Sequence, residues 1–136
     1  MKHLITITIN NIDYLTKYSL SDHYIIGRNK QKCQEVLLSF SSSVIPIVLP
    51  QSILKLSGFH CTLYRDSAGY LIIDGWGRYK STNGIYVNGK KVESMFLKNN
   101  DVVYLGCQEI ILKYHNDEQE ENEIPEYQKT FTAKIS

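Results

Sequence analysis

An all-β sandwich or barrel is the architecture this sequence implies, and three observations carry it. Ten tyrosines and an abundance of Ile and Val favour strands over helices. Short apolar or alternating runs follow one another with Gly, Asn, Asp and Ser between them. Helical periodicity is scarce. The 136 residues suit one domain, and a hydrophobic fraction of 43% with 21% charged residues is enough to bury a core.

The strands can be justified in order. HLITITI (3–9) alternates polar and apolar residues, so one face turns inward. IDYLTKY (12–18) and DHYIIG (22–27) follow after short polar turns. EVLLSF (35–40) and IPIVLP (45–50) read as strands on either side of a serine run, with Pro46 and Pro50 marking a surface excursion. HCTLYRD (60–66) and GYLIID (69–74) form the clearest pair. GIYVNG (84–89) and KKVES (90–94) meet at Asn88-Gly89, a type I′ hairpin signal because both central residues need positive φ. DVVYLG (101–106), entered through an Asn99-Asn100 corner, and QEIILKY (108–114) complete the set. From Asn116 the pattern stops. NDEQEENEIPEYQ is acidic and poor in core residues, so residues 1–115 are expected to form the domain and 116–136 a flexible tail.

Composition narrows the functions. Residues 1–115 hold 13 Lys and Arg against 8 Asp and Glu, and residues 116–136 hold 6 acids against 2 lysines. A mildly basic body suits an anionic partner but lacks the dense basic stripe of a duplex binder. Single-strand nucleic acid binding on an aromatic β surface is disfavoured for the same reason. Cys33, Cys61 and Cys107 lie far apart with no finger-like His spacing, so they are expected to be reduced and mostly buried, with no zinc site or other cofactor. No apolar run approaches the roughly 18–20 residues of a membrane span, and the alternating N-terminus is unlike a signal peptide. A cytoplasmic location is expected.

Candidate site residues gather in three loops. Gly27-Arg28 closes one strand, and Ser57 precedes another in SGFH (57–60). KSTNG (80–84) ends a loop opening at Asp74 that is too long for a tight hairpin. Arg offers a planar fork that grips phosphate, hydroxyls add single bonds, and Asn donates and accepts toward a peptide backbone. A Ser57–His60–Asp74 hydrolase reading lacks the G-x-S-x-G elbow, so no enzyme is expected.

The order Gly27-Arg28, then Ser57-x-x-His60, then Ser81-Thr82-Asn83-Gly84 with a short strand and Val87-Asn88-Gly89, resembles the forkhead-associated (FHA) domain over residues 3–114. The resemblance implies a β-sandwich of about eleven strands that binds phosphothreonine peptides through loops at one end. It assigns Arg28 and Ser57 to the phosphate, Thr82 to a further phosphate or loop contact, and Asn83 to the peptide main chain. Lys55 stands where the family often has a cation near the phosphate. Gly27 would permit a turn, His60 would brace the loops from inside, and Gly84 would support the Asn83 loop. Arg28 and Ser57 stand 29 positions apart, longer than the family's usual spacing, so the apolar insertion is expected to form an extra strand pair or a partner patch. That insertion, or a sandwich face, supplies an alternative function as a phosphate-independent interaction domain. The longer 75–80 segment brings Arg78 and Lys80 as accessory cations, while Trp76 and Tyr79 either touch the ligand or pin the loop. Thr130 or Thr132, once phosphorylated, would make the tail a ligand for self-association.

Overall fold

The computed structural model describes residues 2–117. The strands are β1 (His3–Ile9), β2 (Ile12–Leu20), β3 (His23–Gly27), β4 (Val44–Val48), β5 (Cys61–Asp66), β6 (Gly69–Asp74), β7 (Ile85–Val87), β8 (Lys90–Val92), β9 (Ser94–Phe96), β10 (Val102–Leu105) and β11 (Ile110–Asn116). One helix, α1 (Lys30–Leu37), lies between β3 and β4. The strands form a six-stranded sheet in the order β2-β1-β11-β10-β7-β8 and a five-stranded sheet in the order β4-β3-β5-β6-β9. The expected sandwich of eleven strands is what the chain builds.

Alternation explains the core. Ile5 and Ile7 of β1 and Ile110, Leu112 and Tyr114 of β11 face inward from one sheet, and Tyr24, Ile26, Cys61, Leu63, Tyr70 and Ile72 meet them from the other. Each fully buried aliphatic side chain contributes roughly 1.5–3 kcal/mol. The intervening residues of β1, Leu4, Thr6 and Thr8, are only half-buried because they point away from that interface. Asn88 at φ 52° and Gly89 at φ 86° make the expected hairpin turn, and Asn100 at φ 73° makes the expected corner.

Two expectations about elements are corrected. Residues 35–40 are not a strand, and the insertion is not a strand pair. Asn29 is extended and its side chain accepts from the backbone N–H of Lys32, so it caps a helix that runs to Leu37. Cys33 and Val36, three positions apart on one helical face, pack on Ile25 and Phe59 in a second small core bordered by Leu37, Phe40, Val44, Trp76 and Tyr79. The insertion's apolar residues are therefore largely consumed by packing, with Leu38 and Leu54 the exceptions at 87% and 79% exposure. Residues 44–48 do form a strand, and it runs parallel to β3, which the intervening helix permits. The run 90–94 also divides. β8 pairs with β7 in one sheet, the chain changes sheets at Glu93, and β9 pairs with β6 in the other.

Asn116 is the last residue of β11, and the backbone N–H of Lys2 donates to the Asp117 carboxylate at 2.8 Å. The remainder of the expected tail, with Thr130 and Thr132, lies outside the described residues.

Candidate functional site

Three loops meet at the end of the sandwich where β3 stops and β5 and β7 begin. Gly27 holds the first two together. A Cβ there would stand 2.0 Å from the carbonyl oxygen of Gly58 and 2.9 Å from Cys33 Sγ. The Gly58 carbonyl accepts from the N–H groups of both Arg28 and Asn29 at 3.1 Å. Close backbone approach, rather than the expected turn, is thus the reason for glycine, because Gly27 is not among the positive-φ residues.

The segment 49–57 forms a strap whose carbonyls anchor the ligand-type side chains. Arg28 donates from Nε to the Leu56 carbonyl at 2.6 Å and from Nη1 to the Gln51 carbonyl at 3.0 Å. Asn83 donates from Nδ2 to the Lys55 carbonyl at 3.0 Å. The side chain of Leu56 is fully buried and fixes the strap to the core.

The Ser-Thr-Asn-Gly stretch closes over this strap. The N–H of Thr82 donates to Ser57 Oγ at 2.8 Å, while Ser81 Oγ accepts from the N–H of Gly84 at 2.8 Å. Ser81 N–H in turn donates to the carboxylate of Asp74 at 3.0 Å. Gly84 sits at φ 82°, a conformation other residues adopt at a cost. Its carbonyl accepts from the N–H of Gly106 and from His60 Nε2 at 2.9 and 2.8 Å.

His60 lies fully buried beneath all of this. Its Nδ1 accepts from the N–H of Ser57 at 3.0 Å, which places the proton on Nε2 for donation to Gly84. Burial pushes its pKa below the ordinary 6.5, against the opposing effects of the Gly84 hydrogen bond and the Asp74 charge. Both ring nitrogens are engaged with backbone, so the ring is not placed to act as a base on Ser57 Oγ.

The remaining expected residues separate. Lys55 is exposed and lines a cleft with Tyr86, Tyr104, Cys107 and Gln108. Arg78 lies over the Tyr79 ring at 5.7 Å, and Lys32 lies over the same ring at 5.0 Å. Lys80 is paired with Glu93 at 3.3 Å. Trp76 and Tyr79 pin their loop. They exchange backbone hydrogen bonds around Gly77-Arg78, Trp76 stacks on Phe40 at 4.3 Å, and Tyr79 meets Phe59 edge-on.

Sequence reasoning missed Gly106 and Lys91. A Cβ on Gly106 would stand 2.5 Å from the Lys55 carbonyl oxygen, and one on Gly84 would stand 2.8 Å from Lys91 Cε. A Gly directly after a strand was the available signal for the first; nothing local marks the second.

The chemical sum is a cluster of unused donors. The three N–H groups of Arg28 not held by the strap, the Ser57 hydroxyl proton and the Thr82 hydroxyl make no hydrogen bond among the described residues. Also among the described residues, no group of three or more His, Cys, Asp or Glu gathers to hold a metal.

The FHA domain family model matches residues 24–106. The Slr1951 protein from Synechocystis sp. is similar in structure, with a TM-score of 0.60 and 25% identity over 84% of this chain and 94% of that one. The FHA domain of the CT664 protein from Chlamydia trachomatis shares the fold at a TM-score of 0.58 and 22% identity, covering 85% and 98% of the two chains. An FHA domain solved in a structural and functional study of phosphothreonine-dependent interactions shares it at 0.56 and 23% identity, covering 83% and 96%. No curated protein is similar enough in sequence to match.

Proposed function

The chain belongs to the FHA domain family, and from that membership we propose that it is a phosphothreonine-peptide-binding module acting as a cytoplasmic adaptor. The observation that carries the reading is the convergence of Arg28, Ser57, Thr82 and Asn83 on one strap, with donors left over. A phosphothreonine brings roughly −1.5 to −2 charges and three acceptor oxygens.

The geometry constrains how these groups would act. Arg28 Nε is held by Leu56, so a bidentate grip uses Nη1 and Nη2, end-on. Ser57 Oγ already accepts from Thr82, which turns its proton outward for donation. The Thr82 hydroxyl supplies another donor. Asn83, fixed through Nδ2, keeps its carbonyl oxygen for a peptide N–H. Charge-assisted bonds of about 1.5–3 kcal/mol each, less the cost of ordering a peptide, give roughly micromolar affinity.

The test is an anisotropy titration with phosphothreonine, phosphoserine and unphosphorylated versions of one peptide library. Phosphate-dependent binding that falls at least about tenfold in Arg28→Ala is expected. Equal binding of the unphosphorylated pool would overturn the reading.

The same site would accept a phosphorylated Thr130 or Thr132 from a second copy. Asn116 ends β11 beside His3, at the opposite end of the sandwich from the site. A shift to dimer size on phosphorylating the full chain, reversed by Arg28→Ala, is the expected sign.

A further inference from the structure

The one described helix, α1, packs on β3 and β4 of the five-stranded sheet, so the outer face of the six-stranded sheet carries no helix. Val87, Val103, Leu105 and Leu112 of that sheet point into the core. Their neighbours along each strand point the other way. Leu4, Tyr86, Val102, Tyr104 and Ile111 are half-buried and stand outside both hydrophobic cores.

Register puts the outward residues in rows. Asp13 pairs with Thr8, Thr8 with Ile111, Ile111 with Tyr104, Tyr104 with Tyr86, and Tyr86 with Lys91. One row thus crosses all six strands from β2 to β8. An acid begins it, a base ends it, and an isoleucine and two tyrosines fill its middle. Asp13 and Lys91 are exposed, and neither forms an ion pair among the described residues. Lys91 borders a hollow with Asp74 and Glu93, but Glu93 is paired with Lys80 and the Asp74 carboxylate accepts from the N–H of Ser81.

A row that is negative at one end and positive at the other complements its own reversal. Two copies packed face to face are related by a twofold axis lying in the interface. With that axis along the strands, between β11 and β10, Asp13 meets Lys91 of the second copy. Thr8 then meets Tyr86, Ile111 meets Tyr104, and each contact occurs twice. With the axis along the row instead, Asp13 would meet Asp13 and Lys91 would meet Lys91. Charge therefore selects the first arrangement. Twisted sheets pack at about −30°, so the closest contact is central, Ile111 against Tyr104.

One charge inside the face opposes this. Lys113 is exposed in the next row, between Thr6 and Val102. It would face Val102 of the second copy and approach its own symmetry mate. At the rim, Lys55 and Glu109 line one hollow together and carry opposite signs.

We propose that this face joins two copies of the chain in a symmetric dimer that requires no phosphate. The occupant is a second copy because the two ends of the row complement each other. The strands of the two copies run in the same direction, which sets both candidate sites at one end of the pair.

The experiment is sedimentation velocity on the full unphosphorylated chain from about 5 to 500 μM. The face is smaller than the roughly 800 Å² per partner of a standard interface, so the shift to dimer is expected in the upper part of that range. Asp13→Lys and Lys91→Asp should each weaken association about tenfold or more, because two ion pairs become two repulsions. An equimolar mixture of the two variants should restore it, since each then offers the charge the other lacks. Lys113→Gln should tighten it. Arg28→Ala should leave it unchanged, which separates this dimer from one held by a phosphorylated tail. Each variant's urea midpoint checks its fold, and recovery in the mixture cannot come from misfolded chains. A chain that stays monomeric throughout overturns the proposal and leaves the face to a different partner. Association that ignores both charge reversals, or a mixture that fails to recover, places the contact on another surface and overturns it equally.

Discussion

His60 joins two loops through backbone alone, and its protonation state decides whether it can. The neutral ring accepts from Ser57 and donates to Gly84; a protonated ring has no acceptor for Ser57. Its pKa lies below 6.5 in the folded chain, so the unfolded chain takes the proton first. The stability it lends is full above pH 6.5 and is lost as pH falls from there through the folded pKa. The urea midpoint should therefore drop between pH 7 and pH 5 more steeply in the natural chain than in His60→Gln; equal slopes would show that another group governs that range. Gly27 makes a harsher prediction. A methyl there meets a backbone oxygen that cannot swing away, so Gly27→Ala should lose about 1–3 kcal/mol in urea unfolding and weaken peptide binding through a displaced Ser57. The residues that such tests address were partly legible. Arg28, Ser57, Thr82, Asn83 and His60 stood out because their order matches a motif and their side chains suit a phosphate. The grip of the Gln51 and Leu56 carbonyls on Arg28 was not legible, because a backbone acceptor carries no sequence mark. Lys91 was hidden for a different reason: it reaches the site only because β8 pairs with β7.

Among the elements, strands with clean alternation were the readable ones. β1, β6 and β11 bury alternate residues and show it in sequence, whereas β5 buries Cys61, Thr62 and Leu63 in succession. The helix was hidden by Val36-Leu37-Leu38, an apolar run that reads as a strand, although only Val36 of the three is fully buried. Its real signals were subtler: Asn29 directly after a strand end, and the Cys33–Val36 spacing. β9 was lost because three residues, Ser94–Phe96, are too few to show a period, and Glu93, where the chain changes sheets, looks like any exposed acid. Asn29 is the place to test the helix, since its side chain satisfies an N–H that would otherwise lack a partner. Asn29→Ala should lower stability by about 1 kcal/mol, read from the urea midpoint at constant m. If α1 served only as a solvated loop, the same change would leave the midpoint in place.

The topology of the whole chain ties the site to complete folding. β1 and β11 are neighbours, pairing Ile5 with Tyr114 and Ile9 with Ile110 across nearly the full described length. The site is equally nonlocal: Arg28 comes from the end of β3, Ser57 from the strap, and Asn83 from the entry to β7, and none has its geometry until both sheets are assembled. Contacts of such separation pay their loop-closure entropy before they return energy, so sandwiches of this kind fold in milliseconds to seconds. Stopped-flow refolding, followed through Trp76 stacked on Phe40 and Tyr64, should run in that range. Recovery of phosphopeptide binding should share its rate. Removing residues 1–10 should abolish the cooperative transition rather than merely lower its midpoint, because β2 and β11 would both lose the strand between them. Binding that recovered before the Trp76 signal, or survived loss of β1, would show instead that the three loops fold as a unit of their own. The Gly58 and Gly84 carbonyls argue against that. Gly58 connects the strap to β3, Gly84 accepts from Gly106 next to β10, and His60 joins the strap to Gly84, so the loops of the candidate site are anchored in both sheets at once.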